Sequence, residues 1–361
     1  MLPFVILLFL PIVVQHIAIQ HYSGRREIDV KRKNQAALFV FFALYTILLM
    51  FRHETVGIDT RNYIKIFGRI SNLNWSQIGK SSAESGFSYF NKIISLFTED
   101  AQAFFMVTAI VTVAIIYSSY RRVSADASLT IVLFCAMPTF VMAFSGIRQM
   151  LAIGIGFWAH ELTRKKKLIP FILIVVFAMT FHTSAFILFF MYPLFHVKIT
   201  KKWLYFIVPI LATIFVFNRP IFSFLGWILT RYTKYDASVT ETGAYAMLVL
   251  FVLLAIFAFL VPDESILDQE TIGMRNYLLL SVVLQMFAPL HTIAMRINYY
   301  YIIFIPLLLP RIIACRSEQW KQVAVLSRYI LLVFFMVYFF VNTNDKGNLN
   351  VFPYHFFWET V

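Results

Sequence analysis

Arg148 stands in the run AFSGIRQMLAIGIG (residues 143–156), whose surroundings are otherwise apolar. A charged side chain near a bilayer centre costs about 3 kcal/mol on insertion scales, so this guanidinium must face a protein interior or a wet cavity and meet an anion there. Two kinds of anion fit. A fixed carboxylate, Asp59 or Glu84, would make the pair structural; a bound phosphate would make it functional, because guanidinium matches phosphate oxygens bidentately. Arg52 and Arg296 fall on the same side of the membrane by the topology below, and with Arg148 they supply enough positive charge for a diphosphate. Acids and bases accompany them: FRHETVGIDTRNYIKIF carries Arg52, His53, Glu54, Asp59 and Arg61, and SSAESGFSYFNKIIS adds Glu84 and Tyr89. Such groups can take a proton from a hydroxyl within hydrogen-bond reach. His182 follows an uninterrupted apolar limb and precedes Thr183 and Ser184; it is either a satisfied hydrogen-bonding residue or a phosphate donor and proton shuttle. His291 admits the same two readings.

Several chemistries are excluded. No His-Glu-x-x-His pattern and no cysteine pair is present, so no metal site is expected. No Walker motif or glycine-rich nucleotide loop is present, so neither ATP-driven transport nor a cofactor is expected. Cys135 and Cys315, the two cysteines, fit no disulfide framework.

The elements that must position these residues are membrane helices. Mean hydropathy is +0.76, 60% of the chain is hydrophobic and forty of its 361 residues are Phe. Apolar runs near the length needed to cross a hydrocarbon core of about 30 Å recur from end to end. The composition therefore predicts an all-α polytopic membrane protein, one transmembrane domain over residues 1–361 without a soluble domain. The formal charge of +13 is dispersed among loops rather than gathered on one face, which argues against nucleic acid as a partner. MLPFVILLFLPIVVQHIAI lacks a basic leader and a small-residue cleavage site, so it reads as a retained first span.

The hydropathy pattern predicts roughly twelve spans, at about residues 2–19, 36–51, 103–119, 127–144, 147–162, 166–181, 183–197, 203–217, 244–261, 276–290, 293–313 and 327–342. The basic clusters RREIDVKRK (25–33), RR (121–122), RKKK (164–167), KITKK (198–202) and the region from Lys321 to Arg328 alternate with these spans and are expected on the cytoplasmic side. Residues 123–163 and 168–197 each begin and end at a basic loop, so each must go out and return, turning at FSGIRQ and TFHTS. A third hairpin, from Arg275 to Arg311, turns at APLHTIAMR. All three tips point outward and carry Arg148, His182, His291 and Arg296. The same parity places the two long loops, about 52–102 and 218–243, and the C-terminal tail outside, while PDESILDQET (262–271) is expected as a solvated cytoplasmic loop. Most of the aromatic residues should contact lipid or neighbouring helices, with a few outer Tyr and Trp residues available to stack on sugars.

FRHETVGIDTRNYIKIF, ESGFSYFNKIIS, SGIRQMLAIGIGFWA, FHTSAFILFFMYPL, AMRINYYYIIFIPLLLP and FPYHFF occur in the order seen in the EpsG-like family, which resembles Wzy-type polymerases of bacterial surface polysaccharides. The family-like positions are Arg52, Gly57, Asp59, Tyr63, Glu84, Arg148, Gln149, His182, Arg296 and Tyr300; where the family often has GTDY, this chain reads GIDT. The resemblance implies a GT-C-like glycosyltransferase at the outer face of the bacterial cytoplasmic membrane, making O-antigen, capsule or exopolysaccharide. It would move a growing glycan from undecaprenyl diphosphate to the non-reducing end of a lipid-linked repeat unit. Membrane lipids, a chain-length co-polymerase and a flippase are the partners this implies. Asp59, Glu84 and His182 compete for the base, Asp59 slightly ahead; Arg148 and Arg296 are the diphosphate candidates, then Arg52, with Gln149, Tyr300 and His291 as further substrate contacts. A flippase of the same lipid-linked oligosaccharide, or an O-antigen ligase, would use similar parts. The enzymatic reading expects guanidinium groups distant along the chain to converge at the outer leaflet.

Overall fold

The computed structural model describes residues 1–17, 26–228, 242–316, 320–343 and 349–361. In chain order the helices are α1 (Leu2–Ile17), α2 (Arg26–Met50), α3 (Thr60–Ser71), α4 (Ser85–Ser95), α5 (Ala101–Val123), α6 (Ala127–Ala136), α7 (Pro138–Ser145), α8 (Ile147–Arg164), α9 (Leu168–Phe181) and α10 (Met191–His196), then α11 (Leu204–Val216), α12 (Asn218–Ile228), α13 (Thr242–Leu260), α14 (Gln269–Gln285), α15 (Thr292–Ile302), α16 (Ile305–Ala314) and α17 (Lys321–Thr343). Apart from short 3₁₀ turns, the one other regular feature among the described residues is an antiparallel bridge between Arg52 and Phe356.

The all-helical, polytopic character holds, but a count of twelve spans is not supported. Among the described residues four stretches are long and apolar enough to cross a membrane: Lys31–Met50, Ala101–Val123, Gly243–Leu260 and Lys321–Thr343. Three bent pairs raise this to seven, and Leu2–His16 and Leu168–Phe181 are apolar but shorter. Limbs of 15 or so apolar residues are too short for a straight crossing at 1.5 Å per residue. Two of the expected spans are also interrupted. Pro138, which cannot donate to the preceding turn, bends α6 against α7 by 60°, and α15 and α16 meet at 44°; the 118° turn of residues 183–196 against 201–216 falls at KITKK, where a loop between two spans is expected. Of the expected outer loop 218–243, residues 218–228 are helical and 229–241 lie outside the described residues.

The helices gather into two units, Met1–Leu188 with Leu326–Val361, and Phe189–Val325. In the first, aromatic rings fill the interior: Tyr45 stacks on Phe140 at 5.0 Å and Phe4 meets Phe352 edge-on at 4.7 Å. Tyr45 also donates its hydroxyl to the Phe140 carbonyl at 2.6 Å, which satisfies a polar group that burial would otherwise leave unpaired. The two ends of this unit differ in chemistry. At one end Asp126 caps α6 through the Leu129 amide and pairs with Arg328, while Glu161 pairs with Arg122, Arg164 and Lys165. The loops expected to be cytoplasmic around residues 121–126 and 161–165 thus share an end. At the other end Gln102, in the first turn of α5, donates to the Met50 carbonyl that closes α2, and here lie α3, α4, the α7–α8 junction and residues 349–357.

In the second unit α14 is the hub. Asp268 caps it through the Thr271 amide and pairs with Arg311. Arg275, fully buried, bonds Glu264 at 2.6 Å and the Ile199 carbonyl at 2.6 Å, and lies 4.1 Å over the Phe259 ring. Residues 262–268 form a loop with Ser265, Ile266 and Asp268 exposed, in keeping with the solvated loop expected there, and ion pairs and the helix cap tie it down.

Candidate functional site

The 51–60 segment of the first unit is seated on the α7–α8 junction by its backbone. Gly57 has φ +89°, and a Cβ added there would fall 2.3 Å from the Phe144 carbonyl oxygen. Only glycine adopts that conformation at that distance without strain. The far side of the loop is held by the tail: Gly57 and Ile58 amides donate to the Asn350 and Leu349 carbonyls at 3.1 Å, His53 donates to the His355 carbonyl at 2.9 Å, and Phe357 donates to the Phe51 carbonyl at 2.9 Å. Gly57→Ala is expected to cost about 2–3 kcal/mol through backbone strain and overpacking. A drop of several degrees in the melting midpoint of the solubilised chain checks this; an unchanged midpoint shows the loop seat to be soft.

This seat fixes the position of Asp59, the N-cap residue of α3. Its carboxylate accepts from the Ser145 hydroxyl at 3.3 Å, and its own amide donates to the same oxygen at 3.3 Å. Three residues further along the chain from Ser145, Arg148 sits in the first turn of α8 and donates to Glu84 at 2.5 Å. The Tyr63 hydroxyl accepts from the Arg148 amide at 3.5 Å, taking one of the donors that a helix start leaves unpaired, and the guanidinium lies 6.0 Å from the Tyr63 ring centroid. Burial pushes the Tyr63 hydroxyl above the usual phenol range, so it stays protonated and able to donate. Glu84 is placed by α4, whose Gly86 packs so closely on α9 that an added Cβ would fall 2.1 Å from the Thr180 hydroxyl.

The electrostatics of this arrangement are unusual for a purely structural pair. A helix N-terminus carries partial positive charge, so a basic side chain in the first turn is disfavoured unless an anion answers both. Glu84 answers in part. The pair is not sealed, with 27% and 21% of the two side chains exposed, and the Arg148 Nε is buried without a hydrogen-bond partner among the described residues. An arginine at a helix start, with donors left over and an opening to solvent, is suited to a phosphate.

The other sequence candidates divide. Arg52 is 2% exposed and donates to the Leu49 carbonyl at 2.7 Å beneath the tail, with its guanidinium 4.3 Å over the Phe105 ring. Its Nε and Nη2 are buried without partners among the described residues, and burial is the largest influence on it, lowering it to about 10 against the neighbouring tyrosines. It keeps its charge at neutral pH and is closed off from solvent as packed. His182 ends α9 and shares a 2.6 Å hydrogen bond with the Ser184 hydroxyl; its neighbour Phe181 meets Phe90 of α4. Gln149 is buried within the helix packing. His291, Arg296 and Tyr300 belong to the second unit. His291 caps α15 by accepting from the Ile293 amide at 3.0 Å and stacks on Phe222, Arg296 is exposed on the same helix, and Tyr300 is buried.

Ser145 was not among the sequence candidates, although a hydroxyl in an apolar run three residues before the arginine is a visible signal. Tyr63 stood among the family-like positions without a role. No group of three or more His, Cys, Asp or Glu side chains able to hold a metal is found among the described residues.

The fold defines a polytopic, all-helical membrane protein, and one end of its first unit brings Asp59, Tyr63, Glu84, Ser145 and Arg148 together. The chain belongs to the EpsG family, whose profile matches residues 35–356, and that family is associated with exopolysaccharide biosynthesis. No curated protein and no solved structure matches the chain.

Proposed function

We propose that the chain is a Wzy-type polysaccharide polymerase, a membrane-embedded glycosyltransferase of GT-C-like architecture at the outer face of a bacterial cytoplasmic membrane. It transfers a growing glycan from undecaprenyl diphosphate to the non-reducing-end hydroxyl of a lipid-linked repeat unit. The observation that carries this reading is Arg148: a guanidinium at the positive end of α8, paired to Glu84 yet open to solvent. In the reaction the acceptor oxygen bonds to the anomeric carbon as that carbon's bond to the diphosphate breaks. Arg148 stabilises the charge growing on the departing diphosphate. Asp59 takes the acceptor proton, because its carboxylate meets a hydroxyl, whereas that of Glu84 is engaged by Arg148. Glu84 thereby becomes the group that aims the guanidinium, and His182 stays a competitor for the base. Arg296, Tyr300 and His291 are carried as substrate-binding candidates of the second unit and Gln149 of the first. Arg52 acts in binding only if the 351–357 segment parts from it.

The test is deletion of the gene followed by analysis of its lipid carriers. Loss of a polymerase leaves single repeat units on carriers that have reached the outer leaflet. Loss of a flippase, the competing reading, strands them on the cytoplasmic leaflet, and that outcome would sink the proposal. Orientation has its own check: a periplasm-active reporter fused after residue 80 is expected to be active and one fused after residue 165 silent. The reverse pattern would place the site on the wrong side.

A further inference from the structure

The outer loop carries two helices with opposite outward faces. On α3 the buried residues are Thr60, Tyr63, Phe67 and Ile70, and the face turned out bears Arg61, Asn62, Lys65 and Arg69. That is an ordinary water-facing helix. On α4 the buried residues are Phe87, Ser88, Asn91 and Ile94. Its outward face is apolar instead: Tyr89 and Ile93, continued by Leu96 and Phe97 in the turn that closes it, spaced i, i+4, i+7 and i+8, are all exposed, Phe97 at 85%. Trp75 stacks on Tyr89 at 6.4 Å and extends the patch. Leaving such a surface in water costs about 25 cal/mol per Å² of apolar area, which calls for an apolar neighbour.

What the neighbour is follows from continuity with the membrane surface. Only residues 98–100 separate Phe97 from the start of α5, a membrane-crossing helix, and three residues reach no more than about 10 Å. The level of that start is fixed by Gln102, which bonds the last carbonyl of α2, so two crossing helices emerge there together. Phe67 and Phe87 rest on Phe104 at the top of α5, holding α3 and α4 over that rim. A Trp–Tyr pair is the side-chain chemistry that settles at headgroup depth, and an apolar helical face beside it suits the acyl boundary beneath.

We infer that α4 is an interfacial helix whose Trp75–Tyr89–Ile93–Leu96–Phe97 face lies in the headgroup and upper acyl layer of the bilayer. Its first turn follows Glu84, so the Arg148–Glu84 pair is held at the depth of lipid headgroups. This placement does not rest on the transferase reading, and an inactive protein would show it equally.

The experiment uses the full chain with Cys135→Ala and Cys315→Ser, reconstituted in phosphatidylethanolamine and phosphatidylglycerol vesicles. Nitroxides are attached at Ile93→Cys, Phe97→Cys and, as the water-facing control, Asn62→Cys. At 93 and 97, collision with oxygen is expected to exceed collision with a water-soluble nickel chelate severalfold, and at 62 the order should reverse. Nickel collisions at 93 and 97 matching those at 62 would overturn the inference. Low collision with both reagents would also overturn it, because the face would then be covered by protein, such as a second copy of the chain. Should the labelled variants misfold, brominated lipids applied to the unlabelled chain and to Trp75→Phe give a second reading. The substitution is expected to remove a lipid-quenched component of the emission, and its absence counts against the inference.

Discussion

Arg148→Ala is expected to abolish polymer while the protein remains in the membrane at its usual level. Removing one preorganised donor to developing charge typically costs about 3 kcal/mol, a loss of 10²–10³ in rate. Here the loss also strips Glu84 of its cation and leaves a half-buried carboxylate unpaired. Arg148→Lys should rescue poorly, since an ammonium is a point charge that cannot grip two phosphate oxygens in a plane. The structural alternative is separable. If the pair served only to hold α4 against α8, replacing both partners by apolar residues, as in Arg148→Met with Glu84→Leu, would be close to neutral. On the present reading that double variant folds and remains inactive. Polysaccharide of normal length from either variant removes Arg148 from the mechanism.

Asp59→Asn is expected to lower the transfer rate by about 10²–10⁴, the usual contribution of a positioned base. The substitution is conservative in shape, and the Asn carbonyl can still accept from the Ser145 hydroxyl, so the loop should keep its seat on the Phe144 carbonyl. The measurement is transfer between purified lipid-linked repeat units, with binding of the donor followed separately. An unchanged rate in Asp59→Asn, with a collapse in His182→Ala, would move the base to the histidine at the end of α9.

Much of the first unit could be read from residue types. The apolar runs, the basic clusters and the placing of Arg148, Asp59 and Glu84 in one neighbourhood all follow from hydropathy and charge parity, and Glu84 is one of the two carboxylates that the sequence offers Arg148. The bends could not be counted that way. A window of apolar residues reads alike whether it crosses straight or kinks, as it does at Pro138 and between α15 and α16. Arg52 shows a different limit. The residues that follow it along the chain are polar, which signals a loop, but it packs beneath residues 351–357, and no local pattern announces a partner so distant. Arg275 is the converse case: it reads as the edge of a hairpin, and it is buried against Glu264, the Ile199 carbonyl and the Phe259 ring, partners that no local pattern announces.

The tail segment that crosses residues 51–58 has a consequence for how the protein comes into being. Tyr354 donates to the Leu48 carbonyl across 306 residues of chain, and the Gly57 and Ile58 amides find their acceptors at Asn350 and Leu349. Until those downstream residues emerge from the ribosome, Asp59 stands on a segment whose backbone lacks several of its partners. Pairings of such long sequence separation form late. The helices can be in place well before the Asp59 seat is, and the end of the unit that bears it is the last to be finished.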